Sequence, residues 1–193
     1  MSQEIEIEFK NMLTKQEFET ITAALQLTEK DFIDQKNHYF DTGSFALKQK
    51  HAALRIRRKN GEYVLTLKEP ADVGLLETHQ QLSEVSDLAE FSVPKGPVKD
   101  QLHKLQIDTD AIQYFGSLAT NRAEKETEKG LIVLDHSRYL NKEDYEIEFE
   151  AADWHEANKP LRSCFSNSAF LSAKPKIKFC DFMRKNESLY KVE

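Results

Sequence analysis

The chain has 193 residues, 39% of them hydrophobic and 31% charged, with 27 basic against 33 acidic side chains for a formal net charge of −6. That length fits one domain with a real core, and the negative balance argues against a general nucleic-acid binder, which needs a basic surface. No apolar run approaches a membrane span, and the N-terminus lacks the basic and apolar regions of a signal peptide, so a cytoplasmic protein is expected.

Cys164 and Cys180 stand apart without CxxC spacing and read as free thiols. The six histidines show no HxH or HExxH spacing, which argues against zinc.

The first element is an alternating segment, Glu4-Ile5-Glu6-Ile7-Glu8-Phe9-Lys10. A strand repeats every two residues, so the charges share one face and Ile5, Ile7 and Phe9 share the other, which should lie beneath covering helices. Thr14 and Glu17 then form a capping box that opens a helix over 15–27. A second strand is predicted at 36–42 and a short helical turn at 44–48. The third strand, 52–59, sets Leu54 and Ile56 against Arg55, Arg57 and Lys59, with Arg58 and Lys59 read as rim charges. Asn60-Gly61 is a two-residue hairpin signal leading into a strand at 63–68, where Lys68 alternates with leucines, and Pro70 ends that ladder.

Residues 75–82 read as a fifth strand with Glu77, His79 and Gln81 on one face, which makes Glu77 a candidate to line a shared charged cavity. The segment 83–119, rich in Leu, Ile, Val and Phe and punctuated by Pro94 and Pro97, reads as a mainly helical insert of two or more helices. Strands resume at 120–127 with Arg122, at 131–136 up to Asp135, and at 144–150 with Glu146, Glu148 and Glu150. His136 is expected to point away from Asp135's face. A helix at 154–169, a basic strand at 174–179 and a closing helix at 181–192 complete the pattern. About eight strands in hairpin order imply an antiparallel barrel or a strongly curled sheet.

The charged faces segregate by sign. The strands at 4–10 and 144–150 are nearly all carboxylate, whereas those at 52–59 and 174–179 are basic. Carboxylates about 7 Å apart on one face repel unless a cation sits among them. Hard oxygen donors of this kind suit Mg²⁺ or Mn²⁺, and forked arginines suit phosphate oxygens. If the charged faces line one cavity, the pattern describes a metal-dependent site for a polyphosphate.

Glu6-x-Glu8-x-Lys10 resembles the ExExK signature of the CYTH superfamily, also called triphosphate tunnel metalloenzymes. The likeness continues in order through Tyr39-Phe40-Asp41-Thr42, Leu54-Arg55-Ile56-Arg57, Leu65-Thr66-Leu67-Lys68, Arg122, Asp135, Glu146-x-Glu148 and the terminal lysine-rich strand. It implies an α+β, mainly antiparallel protein: a single domain over 1–193 with a closed eight-stranded barrel and helices packed outside. It further implies Glu6, Glu8, Asp135, Glu146 and Glu148 as metal ligands, and Lys10, Arg55, Arg57, Lys68, Arg122 and Lys176 as triphosphate contacts. Glu146, Glu148 and Lys10 are expected to carry catalysis. Lys174, Lys176 and Lys178 share a face, and the family's usual Lys-x-x-Arg-Phe is blurred there. Glu4 and Glu150 either extend the ladders or end them in solvent.

The family contains inorganic, thiamine and RNA triphosphatases and class IV adenylate cyclases. The expected activity is hydrolysis of a small-molecule triphosphate, inorganic triphosphate first. Cyclisation of ATP, with Asp41 and Tyr39 toward a nucleotide pocket, thiamine or nucleoside triphosphate hydrolysis, and a non-catalytic polyphosphate-binding module are the alternatives. Members are often dimers, so a homodimer is within expectation, although no apolar strip marks an interface.

Overall fold

The computed structural model describes residues 2–128 and 130–151. The elements predicted at 154–169, 174–179 and 181–192, with Lys174, Lys176, Lys178, Cys164 and Cys180, lie outside the described residues. What is described is mainly antiparallel β with few helices. In chain order the elements are β1 (Gln3–Glu6), β2 (Glu8–Leu13), α1 (Lys15–Ala24), β3 (Phe32–Thr42), α2 (Ala46–Gln49), β4 (Ala53–Lys59), β5 (Glu62–Pro70), β6 (Leu75–Leu82), α3 (Pro97–Lys104), β7 (Ile112–Thr127), β8 (Gly130–Tyr139) and β9 (Lys142–Ala151), with 3-10 turns at Glu29–Asp31 and Thr109–Ala111. No described helix is long and apolar enough to cross a membrane.

Two compact units emerge. Among the described residues the first holds 2–6 and 35–119, the second 7–34 and 120–151.

In the first unit the strands follow the order β1-β6-β5-β4-β3. Asn60 (φ 53°) and Gly61 (φ 84°) close the β4–β5 hairpin in the left-handed conformation that a type I′ turn requires. Register sets Leu54 against Leu67 and Ile56 against Leu65, so these four leave the charged face together. All four are fully buried with Phe40, and Val98 and Leu102 of α3 join the same cluster. Each such side chain contributes about 1.5–3 kcal/mol of apolar burial.

In the second unit the order is β7-β8-β9-β2. The capping box forms as predicted: Thr14 accepts from the Glu17 amide while the Glu17 carboxylate accepts from Thr14. Phe18 and Ile21 of α1 pack with Leu13, Leu134 and Tyr145. His136 stacks on Tyr145 at 4.5 Å and meets Glu143, away from Asp135 as expected.

Three expectations change. The barrel was expected to close with eight strands, but nine are described, and β1 and β2 form the two ends of the strand order. The cause of the extra strand is a change of partner at Ile7: the alternating ladder at 4–10 divides into β1, paired with β6, and β2, paired with β9. Ile5 and Phe9, expected beneath helices, are 52% and 38% exposed.

The segment 83–119 is not mainly helical either. It holds one α-helix, begun by Pro97 in the first turn where its missing N–H costs nothing, and the 3-10 turn, and Ile112 onward is already β7. Val85, Leu88 and Phe91 recur every three residues and imitate a helical face, but they pack onto the first unit's core from irregular backbone.

Candidate active site

The second unit gathers carboxylates and cations on the face of β9 opposite α1. Register places Asp135 across from Glu146, and Lys10 across from Glu148. Asp135, Glu146 and Glu148 are buried, and one oxygen of each lies within 4.8 Å of the others. Arg122 on β7 grips Asp135 with both fork atoms, at 2.7 and 2.8 Å, and donates to Glu148 at 2.9 Å. Lys10 Nζ lies 2.9 Å from Glu148 and 2.8 Å from Glu8. Burial alone would pull the Lys10 ammonium down, but Glu148 and then Glu8 outweigh it and hold it above the ordinary lysine range. The same contest, won by Glu148 and Asp135, keeps Arg122 charged.

Three buried carboxylates converging this closely meet the donor chemistry of a small hard cation. Asp135, Glu146 and Glu148 would hold it.

The first unit carries a second charged face. Lys68 on β5 reaches Glu6 on β1 at 2.5 Å and also contacts Glu77 on β6. Arg57 Nε donates to Asn37 Oδ1 at 3.1 Å. Arg55 lies between Tyr39 and Thr66 in register, and among the described residues its buried Nε meets no acceptor. A buried guanidinium N–H in that condition suits an anion. Asp41 is fully buried, and its oxygens accept the Thr42, Leu47 and Lys48 amides and brace the turn before β4.

Glu77 was only a candidate from strand alternation, and the structure makes it a member of the Lys68 cluster. Burial raises its pKa, but Lys68, hydrogen bonding with Glu6 and then Arg55 outweigh that and lower it from 4.5 to about 2. A depressed acid stabilises the fold above the unfolded value and loses that contribution as pH falls through the folded one. Wild-type stability should therefore decline between pH 4.5 and 2 by on the order of 3 kcal/mol more than that of Glu77→Gln, read by urea unfolding across that range. Parallel pH profiles for the two proteins would exclude this role. Asn37 and His79 carried no motif; period-two placement put His79 on the face of Glu77, whereas Asn37 meets Arg57 only through the register of β3 on β4.

Of the expected metal set, then, Asp135, Glu146 and Glu148 come together, with Glu8 beside Lys10 in the same unit. Glu6 belongs to the first unit, on Lys68.

Residues 4–178 match the family model of the CYTH domain. This chain belongs to the CYTH domain family. The CYTH chain is 82% identical to "Putative triphosphatase YjbK" of Bacillus subtilis (strain 168) over 182 residues, 94% of this chain and 96% of that protein. It is similar to the crystal structure of "a putative adenylate cyclase (bh2851)" from Bacillus halodurans, with a TM-score of 0.87 and 40% identity over 94% of this chain and 99% of that one. The "Putative adenylyl cyclase HpAC1 from Hippeastrum" shares the CYTH chain's fold at a TM-score of 0.67, with 20% identity over 94% of this chain and 96% of that one.

Proposed function

We propose that this CYTH protein is a divalent-metal-dependent triphosphatase that acts on inorganic triphosphate. The observation that carries the reading is the buried Asp135, Glu146 and Glu148 group beside Lys10 and Arg122. The name of the 82% identical Bacillus subtilis relative supports the same reaction class. Mg²⁺ or Mn²⁺ as the ion and Lys176 as a further phosphate contact belong to this proposal.

In this reading Asp135, Glu146 and Glu148 hold the ion, with Glu6 and Glu8 as the further ligands the resemblance implies. Bound there, a divalent cation supplies positive charge to phosphoryl oxygens and acidity to a water. Lys10 and Arg122 neutralise and orient the phosphates, so that charge on the transferred group meets preorganised donors; Arg55, Arg57 and Lys68 are the further phosphate contacts that the resemblance implies. Water replaces pyrophosphate on the terminal phosphorus, the bridging P–O bond breaks, and phosphate and pyrophosphate leave. No side chain needs to act as nucleophile.

Cyclisation of ATP is the second reading, because the 40% identical Bacillus halodurans protein carries a cyclase name. It needs a nucleotide pocket, and Asp41 is committed to the backbone instead. Incubation with Mg²⁺ or Mn²⁺ and, separately, triphosphate, ATP and thiamine triphosphate separates the readings. Phosphate released fastest from inorganic triphosphate supports the proposal. Pyrophosphate together with cyclic AMP from ATP would replace it with the cyclase, and tight triphosphate binding without product would leave a binding module.

A further inference from the structure

The charged face of the first unit contains a residue to which the triphosphatase reading gives no role. His79 stands on β6, in register with Thr66 on β5. Its Nδ1 lies 3.0 Å from the Thr66 hydroxyl, and its Nε2 lies 3.1 Å from Glu4 and 3.3 Å from Glu77. The neighbouring strands explain why a ring belongs there. Glu4 on β1 is directly opposite Glu77 on β6, a like-charged pair on one sheet face that repels unless a donor comes between. On its other side Glu77 is opposite Lys68, whose ammonium also meets Glu6.

The two oxygens of Glu77 therefore divide their work. Oε1 faces Lys68 and Oε2 faces His79. A neutral ring with its proton on Nε2 donates to the carboxylates and accepts the Thr66 hydroxyl at Nδ1; a protonated ring donates at both ends, with Thr66 as acceptor. In either state the imidazole is held at one edge and grips Glu77 at the other. Glu4 also gains an explanation: it is the outer partner of this ring.

We infer that His79 is a positioning residue, anchored by Thr66, that fixes the Glu77 carboxylate and through it the Lys68 ammonium in the orientation from which Lys68 engages an anion. The nature of that anion rests on the triphosphatase reading, whereas the arrangement of the four side chains does not.

The test compares wild type with His79→Leu, His79→Gln and Thr66→Val in two arms. In the first, without ligand, nitrogen-15 NMR follows the Lys68 ammonium, assigned by its absence in Lys68→Gln. The signal should be protected from exchange in wild type and in His79→Gln, whose amide keeps the donor, and lost in His79→Leu and Thr66→Val. In the second arm, calorimetry in EDTA measures the binding of inorganic triphosphate. His79→Leu should weaken it about tenfold and His79→Gln about twofold or less, with little further loss when Glu77→Gln is added to His79→Leu. A Lys68 signal unchanged in His79→Leu overturns the inference, as does full additivity of the His79 and Glu77 changes. Should His79→Leu not fold, Thr66→Val carries the first arm alone, with the same two outcomes. A wild-type protein that neither binds nor hydrolyses triphosphate sinks the triphosphatase reading instead, and leaves the first arm to decide the role of His79.

Discussion

Glu146→Gln should lower triphosphate hydrolysis by about a thousandfold, the factor that corresponds to roughly 4 kcal/mol of lost transition-state stabilisation. The substitution preserves size and removes one negative charge from a side chain that is 0% exposed and converges with Asp135 and Glu148. A divalent ion held by three carboxylates binds much less well to two and an amide. Triphosphate binding in EDTA should survive, because Lys10 and Arg122 are untouched and the group beside them is less negative. Phosphate release at saturating Mn²⁺, calorimetry in EDTA and thermal unfolding separate lost chemistry from lost binding and lost folding. A rate within threefold of wild type would remove Glu146 from the metal site.

Arg122→Met should cost about 3–5 kcal/mol of stability, the range for breaking a buried ion pair from one side. The side chain makes three charged hydrogen bonds, two to Asp135 and one to Glu148, and each acceptor is almost fully buried. Without the guanidinium both carboxylates remain buried with less compensation. Arg122→Lys restores the charge but not the fork, so its loss should lie between. Guanidinium unfolding in EDTA measures the difference. Millimolar Mg²⁺ or Mn²⁺ should restore more stability to Arg122→Met than it adds to wild type, since an ion at the three carboxylates supplies the missing charge. A loss below about 1 kcal/mol would show that the pairing contributes little to the fold.

Local chemistry was readable wherever neighbours in the chain decide the outcome. The Thr14–Glu17 capping box, the left-handed Asn60-Gly61 turn and the strand at 75–82 need only residues close in sequence, and all three are present as read. At 83–119 the same local pattern misleads. Val85, Leu88 and Phe91 have helical spacing, yet what they cover is the Phe40 and Leu54 core supplied by strands far away in the chain. Periodicity reports which residues seek burial and is silent about the backbone that delivers them.

The candidate site divides along the same line. Alternation by itself determined that Glu146 shares a face with Glu148, Arg55 with Arg57, and Glu6 with Glu8 and Lys10, because a strand turns its side chains every two residues. Which of these meet was decided only by tertiary pairing. The register of β8 on β9 brings Asp135 to Glu146, and that of β2 on β9 brings Lys10 to Glu148. The exchange of partners at Ile7 sends Glu6 to Lys68 and Glu8 to Lys10, although one unbroken ladder had seemed to carry both. Glu77 and His79 gained their roles from Lys68, Thr66 and Glu4 across the sheet. The chain's own order specifies faces through a fixed local geometry; hydrogen-bond register between distant strands specifies contacts.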